Sequence, residues 1–333
     1  MLPKNAVMAG EWNHKIFTVT EAGFDALALE VFRFQYANNE VYHAFTDAVG
    51  CHPDEVDCIE KIPFLPVRFF KSHRVVTTQF EPKAVFESSG TTGMVNSRHY
   101  IKDLALYEES FLKGFELVYG PASDWCILGL LPSYLERKGS SLVYMVEKLI
   151  GLSQHAMSGF YLNEYEQLIT LLAELEKRKQ KTLLIGVTFA LLDLAEKISM
   201  PLQHTVIMET GGMKGRRREM IRDEVHDQLK NAFSAEVIHS EYGMTELFSQ
   251  AYSKGHGIFN CPPWMKIILR DDEDPFLLKR QGSGTINVID LANIWSCSFI
   301  ATDDAGRIRP DDSFEVLGRV DGSDLRGCSL LTV

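Results

Sequence analysis

Apolar and polar positions follow two different periods along this chain, and the switches between them outline a fold. From Thr18 to Ala48 the apolar residues Phe24, Leu27, Val31 and Phe34 recur at helical intervals. Thr18 stands three residues ahead of Glu21, the spacing of a capping box, so a helical stretch is predicted there. The next segment, Ile62-Pro63-Phe64-Leu65-Pro66-Val67-Arg68-Phe69-Phe70-Lys71, carries two close prolines, which argue against a helix. Val85-Phe86 reads as a short strand running into a polar glycine loop over 87–93. Asp103 is placed to cap a helix with Leu104, Tyr107, Phe111, Phe115 and Val118 on one face.

Strand-like apolar runs and helical patterns then take turns. Trp125–Leu131, Thr182–Val187, Thr205–Met208 and Glu236–His239 read as strands. Ser140–Ile150, Glu164–Lys179, Phe189–Ile198 and Arg216–Asn231 read as helices. Such alternation predicts an α/β fold with crossover helices between sheet strands. Beyond about Ser253 the pattern changes to short strands and turns punctuated by Gly282, Gly284 and Gly306. This predicts a smaller β-rich C-terminal region, with Gly282-Ser283-Gly284 as a tight turn. Open α/β sheets bind ligands beyond the carboxyl ends of their strands. Three unusual segments fall at such places: 87–93, 210–218 and 241–246.

Composition narrows the function classes. The chain has 333 residues, 45% hydrophobic and 11% aromatic, which excludes disorder as its dominant state. Its length fits two domains, or one large α/β unit with an appendage. Lys and Arg number 34 against 45 Asp and Glu, a net charge of −11. That argues against nonspecific binding to nucleic acid or anionic membranes, while a local donor-rich loop can still hold phosphate. No apolar run is long enough for a membrane span, and the start of the chain lacks a signal-like apolar stretch. Cys51, Cys58, Cys126, Cys261, Cys297 and Cys328 form no CxxC and no zinc-like cluster. Cys126 sits in an apolar run and reads as core. The expected compartment is the reducing cytoplasm.

Three segments carry candidate chemistry. Ser88-Ser89-Gly90-Thr91-Thr92-Gly93 offers hydroxyl and backbone N–H donors for phosphate oxygens, with glycines that permit close approach. An ordinary polar surface turn is the alternative. Met94-Val95 follows Gly93, so this is not a Walker A loop, and GxSxG and HExxH signatures are absent. Glu241-Tyr242-Gly243-Met244-Thr245-Glu246 sets a carboxylate beside a hydroxyl after a strand. Glu246 there is a candidate Mg²⁺ ligand, against the blander reading of a helix N-terminus. Ala301-Thr302-Asp303-Asp304-Ala305-Gly306 reads as a turn whose Asp304 could accept hydrogen bonds from ribose hydroxyls, or simply be solvated.

Taken in order, these segments resemble the adenylate-forming superfamily, which makes acyl-AMP from a carboxylic acid and ATP. The phosphate loop corresponds to Ser88–Gly93, the Tyr-Gly-x-Thr-Glu motif to Tyr242–Glu246, the Thr-x-Asp motif to Thr302 and Asp304, and a Gly-Arg-x-Asp hinge motif to Gly318-Arg319-Val320-Asp321. Within that superfamily the chain is most similar to acyl-protein synthetases of the LuxE type. Ile62–Pro66 leading into Phe70-Lys71, Glu87–Gly93, Gly211-Gly212-Met213-Lys214-Gly215 and a short C-terminus with a cysteine carry that likeness.

The resemblance implies an adenylate-forming N-terminal-domain-like α/β fold, with the superfamily's mobile C-terminal domain largely absent. It implies an N-terminal helical segment over 1–60, an AMP-binding domain over 61–317 and a truncated hinge and tail over 318–333. By the same resemblance Ser88, Ser89, Gly90, Thr91, Thr92 and Gly93 would hold ATP phosphates, and Gly211, Gly212 and Glu241–Met244, including Tyr242 and Gly243, would line the adenine and acyl pocket. Thr245 and Glu246 would serve AMP and Mg²⁺, Asp304 the ribose, and Arg319 would sit near it. Only 12 residues follow Asp321, which leaves no room for the superfamily's C-terminal domain and its lysine, so either another group offsets α-phosphate charge or the first step is slow. Lys214, Arg216, Arg217, Arg218 and Arg319 are the candidates, against the reading of a helix that starts with solvated basic residues. Cys328 would accept the acyl group for an acyl-reductase or carrier-protein partner. Transfer to CoA, or a non-catalytic nucleotide-binding relative, are the alternatives. His99, His155, His239, Trp125, Phe189 and Met213 are further candidates, each equally readable as plain structure.

Overall fold

The computed structural model describes residues 4–88, 95–132, 139–162, 164–211, 220–271 and 273–320. Helices α1 (Lys4–Phe17), α2 (Glu21–Asn38) and α3 (Glu40–Ala48) come first. The helical stretch expected over 18–48 is thus broken at Asn39, which is buried. Its side chain accepts from the Tyr42 N–H at 3.0 Å and donates to the Ser296 carbonyl at 2.8 Å. The capping-box reading is also corrected. Thr20 is the N-cap of α2, without a side-chain bond, and the Thr18 hydroxyl instead donates to the His14 carbonyl at 2.7 Å.

The proline-punctuated segment stays extended through β1 (Leu65–Pro66), and one helical turn, α4 (Phe69–Ser72), forms only after the prolines. Strands β2 (Ala84–Glu87) and β3 (Arg98–Ile101) make a separate antiparallel hairpin. Asp103 caps α5 (Leu104–Tyr119) as expected, accepting from the Ala105 N–H at 3.1 Å. Next come β4 (Cys126–Leu130), α6 (Ser141–Ser153), β5 (Gly159–Phe160), α7 (Tyr165–Lys177), β6 (Thr182–Val187), α8 (Thr188–Ala195), β7 (Thr205–Thr210) and α9 (Arg222–Phe233). The helix read as Arg216–Asn231 is described only from Arg222, and residues 216–219 lie outside the described residues.

The remaining elements are strands: β8 (His239–Tyr242), β9 (Ala251–Ser253), β10 (Ile258–Asn260), β11 (Met265–Arg270), β12 (Leu278–Lys279), β13 (Gly282–Asp290), β14 (Phe299–Ile308) and β15 (Phe314–Arg319). β8 begins at the residue where the predicted strand ended. Gly282-Ser283-Gly284 opens β13 instead of making a tight turn. A Cβ at Gly284 would lie 2.4 Å from the Arg270 carbonyl oxygen, so a close strand approach demands the glycine. The segment 301–306, read as a turn, lies inside β14.

One sheet unites these strands in the order β12-β11-β13-β14-β15-β10-β9-β8-β7-β6-β4-β5, with β1 paired to β14. Strands β4 to β8 pair in parallel, and those from β9 to β15 antiparallel. The expected β-rich region is therefore a continuation of the parallel half, not a detached unit. Strands β4 and β6 are buried at every position, as parallel strands covered on both faces require. Helix α2 closes over the antiparallel half. Its Gln35 amide donates to the Asn293 and Ile294 carbonyls, both at 3.0 Å, and its Phe32 ring meets Phe299 edge-on at 6.2 Å. Among the described residues no helix is long and apolar enough to cross a membrane.

Candidate active site

The parallel register sets Val187, Thr210 and Glu241 side by side at the ends of β6, β7 and β8. In open α/β sheets the crevice beyond such carboxyl ends is where ligands bind. Gly211 follows β7, and its carbonyl accepts from the Thr188 hydroxyl at 2.6 Å. Gly243 follows β8 and leads into a turn at Thr245 and Glu246. No helix starts there, so the blander reading of Thr245 and Glu246 as a helix N-terminus does not hold.

The turn is fixed from two sides. His99 on β3 is buried, and its Nδ1 lies 2.8 Å from the Thr245 carbonyl oxygen. Burial pushes the His99 imidazole down to about 4, so at neutral pH the ring is uncharged and its Nδ1–H donates to that carbonyl. The Asn293 amide donates to the Glu246 carbonyl at 2.7 Å. Just beyond, the buried Asp290 carboxylate accepts from the Phe248 and Ser249 N–H groups at 2.8 and 2.9 Å. The hairpin β2–β3 is tied to the same region through His99. At its open end the Ser88 N–H donates to the Ser97 carbonyl at 3.0 Å, and the Ser97 N–H donates to Ser88 Oγ at 2.8 Å. Ser88 thus closes the base of the polar glycine loop. Ser89, Gly90, Thr91, Thr92 and Gly93 lie outside the described residues, as do Gly212, Met213, Lys214, Arg216, Arg217, Arg218 and Cys328.

Neighbouring residues of a strand point to opposite faces, and β8 uses both. Tyr242 faces the antiparallel half, where its hydroxyl donates to Asp304 Oδ2 at 3.0 Å. Asp304 stands opposite Arg319 in the β14–β15 register, with Arg319 Nε 3.6 Å from Asp304 Oδ1. Both side chains are buried, at 8% exposure for Arg319 and 3% for Asp304. Among the described residues Arg319 Nε and Nη1 nevertheless have no hydrogen-bond acceptor. Guanidinium donors are rarely left so in an enclosed site, and an anionic or hydroxyl oxygen from a ligand would satisfy them.

Glu241 points the other way, toward α5. It accepts a hydrogen bond from the Thr210 hydroxyl and stands across from Tyr252 on β9. Burial pushes its carboxyl up to about 7, the Thr210 bond opposing that rise only in part. A Cβ on Gly243 would come within 2.3 Å of Glu241 Oε1, so the glycine makes room for this carboxyl. Glu246 is itself buried. Among the described residues no three His, Cys, Asp or Glu side chains gather into a metal cluster. A single carboxylate completed by phosphates and water is a donor set that suits Mg²⁺.

The structure therefore sets Gly211 and Gly243 just past the adjacent ends of β7 and β8, with Thr245 and Glu246 in the turn beyond, and joins Tyr242, Asp304 and Arg319 in one buried polar group, while Ser88 lies at the end of β2. His99, Asn293 and Asp290 are the supports that sequence reasoning missed or left undecided. Of the other candidates, His239 bonds the Tyr119 hydroxyl at 3.1 Å, and burial pushes its pKa down to about 4. His155 accepts from the Met157 N–H at 3.2 Å, Trp125 donates to the Tyr119 carbonyl at 3.2 Å, and Phe189 is buried core.

The long mixed sheet, parallel in one half and antiparallel in the other, is the fold of adenylate-forming ligases. The chain superposes on 2-hydroxyisobutyryl-CoA ligase, in complex with 2-HIB-AMP and CoA, with a TM-score of 0.65 at 14% identity, covering 92% of this chain and 70% of that one. It also superposes on ATP-bound MatB from Rhodopseudomonas palustris with a TM-score of 0.54 at 17% identity, covering 72% of this chain and 49% of that one. The chain thus spans about half the length of the MatB structures it matches. More narrowly, residues 18–332 match the family model described as acyl-protein synthetase, LuxE, and the chain belongs to that family. The long-chain-fatty-acid–luciferin-component ligase of Vibrio harveyi is 24% identical over 325 residues, covering 90% of this chain and 84% of that protein.

Proposed function

We propose that this chain activates a carboxylic acid with ATP as acyl-AMP and then passes the acyl group to a thiol. Support comes from family membership and, above all, from the buried Arg319 beside Asp304, whose Nε and Nη1 lack acceptors among the described residues. A nucleotide at the β8 end would offer those donors a phosphate or ribose oxygen. The Asp304 carboxylate, which accepts from the Tyr242 hydroxyl, would take the ribose hydroxyls of a bound nucleotide. Glu246 would hold Mg²⁺, which supplies charge neutralisation on the phosphates when bound.

In the first step a substrate carboxylate oxygen attacks the α-phosphorus of ATP. An O–P bond forms, the bond to the bridging oxygen breaks, and pyrophosphate leaves with the electron pair. Arg319 and the Ser88–Gly93 loop donors would offset the charge that builds on the phosphoryl oxygens. In the second step the Cys328 thiolate attacks the acyl carbonyl. A C–S bond forms, the C–O bond to AMP breaks with its electron pair going to AMP, and the thiol proton has already passed to solvent. Residues 1–60, 61–317 and 318–333 act in this reading as helical brace, AMP-binding unit and hinge with tail. The acid is of the fatty class and the acceptor beyond Cys328 is an acyl-reductase or carrier-protein partner.

The test is acid-dependent ATP–pyrophosphate exchange across a panel of carboxylic acids, with product analysis in the presence of free CoA. Exchange that depends on one acid class, with acyl transfer to the protein, is expected. ATP binding without exchange for any acid would favour a non-catalytic nucleotide-binding relative, and acyl-CoA as the sole product would favour a CoA ligase.

A further inference from the structure

The proline-punctuated segment singled out in the sequence has no part in the nucleotide site, yet it builds one wall of a half-open groove of about 520 Å³. Ile62, Pro63, Phe64 and Pro66 form that wall, Phe45, Val49 and Val56 come from α3 and the stretch after it, and Phe276 and Leu278 close the far side. The volume lies within the usual range for small-molecule sites. Phe276 is 67% exposed at this groove, a large apolar side chain left without cover.

The groove backs onto the nucleotide site through a single strand. Asp303 lines it, while the next residue of β14, Asp304, faces Tyr242 and Arg319. The chain also leaves β15 there, since the Val320 N–H donates to the Asp303 carbonyl at 3.0 Å. Cys328 follows eight residues later, outside the described residues. A fully extended link of that length reaches about 26–29 Å, so the thiol can approach the groove mouth.

Charge decides what form of ligand fits. Lys61, Arg68 and Arg270 among the lining residues are matched by Glu55, Glu60 and Asp303. Arg270 is committed to Asn287 Oδ1 at 2.6 Å, and Glu60 to an ion pair with Arg280. With no surplus of positive charge, a neutral thioester suits the site better than a free carboxylate. An alkyl chain that has left the crevice on Cys328 would otherwise expose its apolar surface to water, which is unfavourable.

We propose that this groove shelters the alkyl chain of an acyl group carried as a thioester on Cys328. This rests on the acyl-transfer reading above and assigns the resting place of its product. The half-buried Cys51 lines the groove and is a built-in reporter. The full chain, incubated with ATP, Mg²⁺ and radiolabelled tetradecanoic acid, is split into acylated and unacylated portions and exposed to N-ethylmaleimide. Modification of Cys51 is followed by peptide mass analysis.

Acylation of Cys328 should slow Cys51 modification about tenfold, as for a chain that spends nine-tenths of its time in the groove. Acylation by a short acid such as butanoic acid should leave Cys51 open. Phe276→Glu, at an exposed position, should restore Cys51 modification in the tetradecanoyl form. Equal Cys51 modification in the tetradecanoylated and unacylated chains overturns the groove assignment alone. Absence of any hydroxylamine-labile label on the chain overturns the acyl-transfer reading, and the groove assignment with it.

Discussion

The two halves of the sheet contribute to the crevice in different ways. In the parallel half, β4 and β6 are buried along their whole length, and the site receives strand ends: Thr210-Gly211 from β7 and Glu241-Tyr242-Gly243 from β8. In the antiparallel half, polar side chains are buried within the strands, with Asp290 on β13, Thr302 and Asp304 on β14, and Arg319 facing Asp304 from β15. The first half positions backbone; the second supplies charge. The proposed nucleotide chemistry would draw on both, and β8 joins them, pairing in parallel with β7 and antiparallel with β9.

Removing charge from the antiparallel half should have the largest effect. Arg319→Ala should lower acid-dependent pyrophosphate exchange by about 10²–10³, the range for loss of one preorganised donor to a charged transition state. A fall of less than tenfold in initial rates would remove Arg319 from the machinery. Next comes the glycine of the parallel half. Gly243→Ala places a methyl 2.3 Å from Glu241 Oε1 and should cost about 1–3 kcal/mol of stability, read from denaturant midpoints. In the double variant with Glu241→Ala that cost should shrink.

Glu241 gives a prediction with a defined sign. Burial raises its folded carboxyl to about 7, above the ordinary glutamate value of 4.5, so the native state binds the proton more tightly than the unfolded chain. The stabilisation is complete below pH 4.5 and is lost as pH rises to about 7. Glu241→Gln should flatten that part of the stability profile, by a loss of order 1–3 kcal/mol between pH 5 and 8. An unchanged slope of melting temperature against pH would contradict the burial of this carboxyl. The smallest effect should come from Tyr242→Phe, which removes one hydrogen bond to Asp304. About 0.5–1.5 kcal/mol is expected, seen as a several-fold rise in the KM for ATP with kcat little changed.

The same division explains what the sequence could tell. The parallel half was legible because both-face burial leaves uninterrupted apolar runs such as Thr182–Val187, and because glycines mark the strand ends. Membership of an acyl-protein synthetase family was legible too, from the order of the segments 88–93, 242–246, 302–304 and 318–321. Strand β14 was not, since Thr302, Asp303 and Asp304 look like a solvated turn until Arg319 and Tyr242 are seen to face Asp304 inside the protein. His99 illustrates the same limit. Its bond to Thr245 spans 146 positions of chain, and no local pattern marks a histidine held neutral by such a contact. The break at Asn39 likewise depends on a distant partner, the Ser296 carbonyl.

The central claim is that activation and acyl capture are separable, the first residing in the crevice and the second in Cys328. The most direct measurement compares the wild-type chain with Cys328→Ser, following acid-dependent ATP–pyrophosphate exchange and hydroxylamine-labile acylation in the same preparations. The account predicts exchange within about twofold of wild type, since the thiol enters only after acyl-AMP has formed, and complete loss of the protein-bound label. Retention of the labile acyl label in Cys328→Ser, or loss of exchange together with the label, would contradict it.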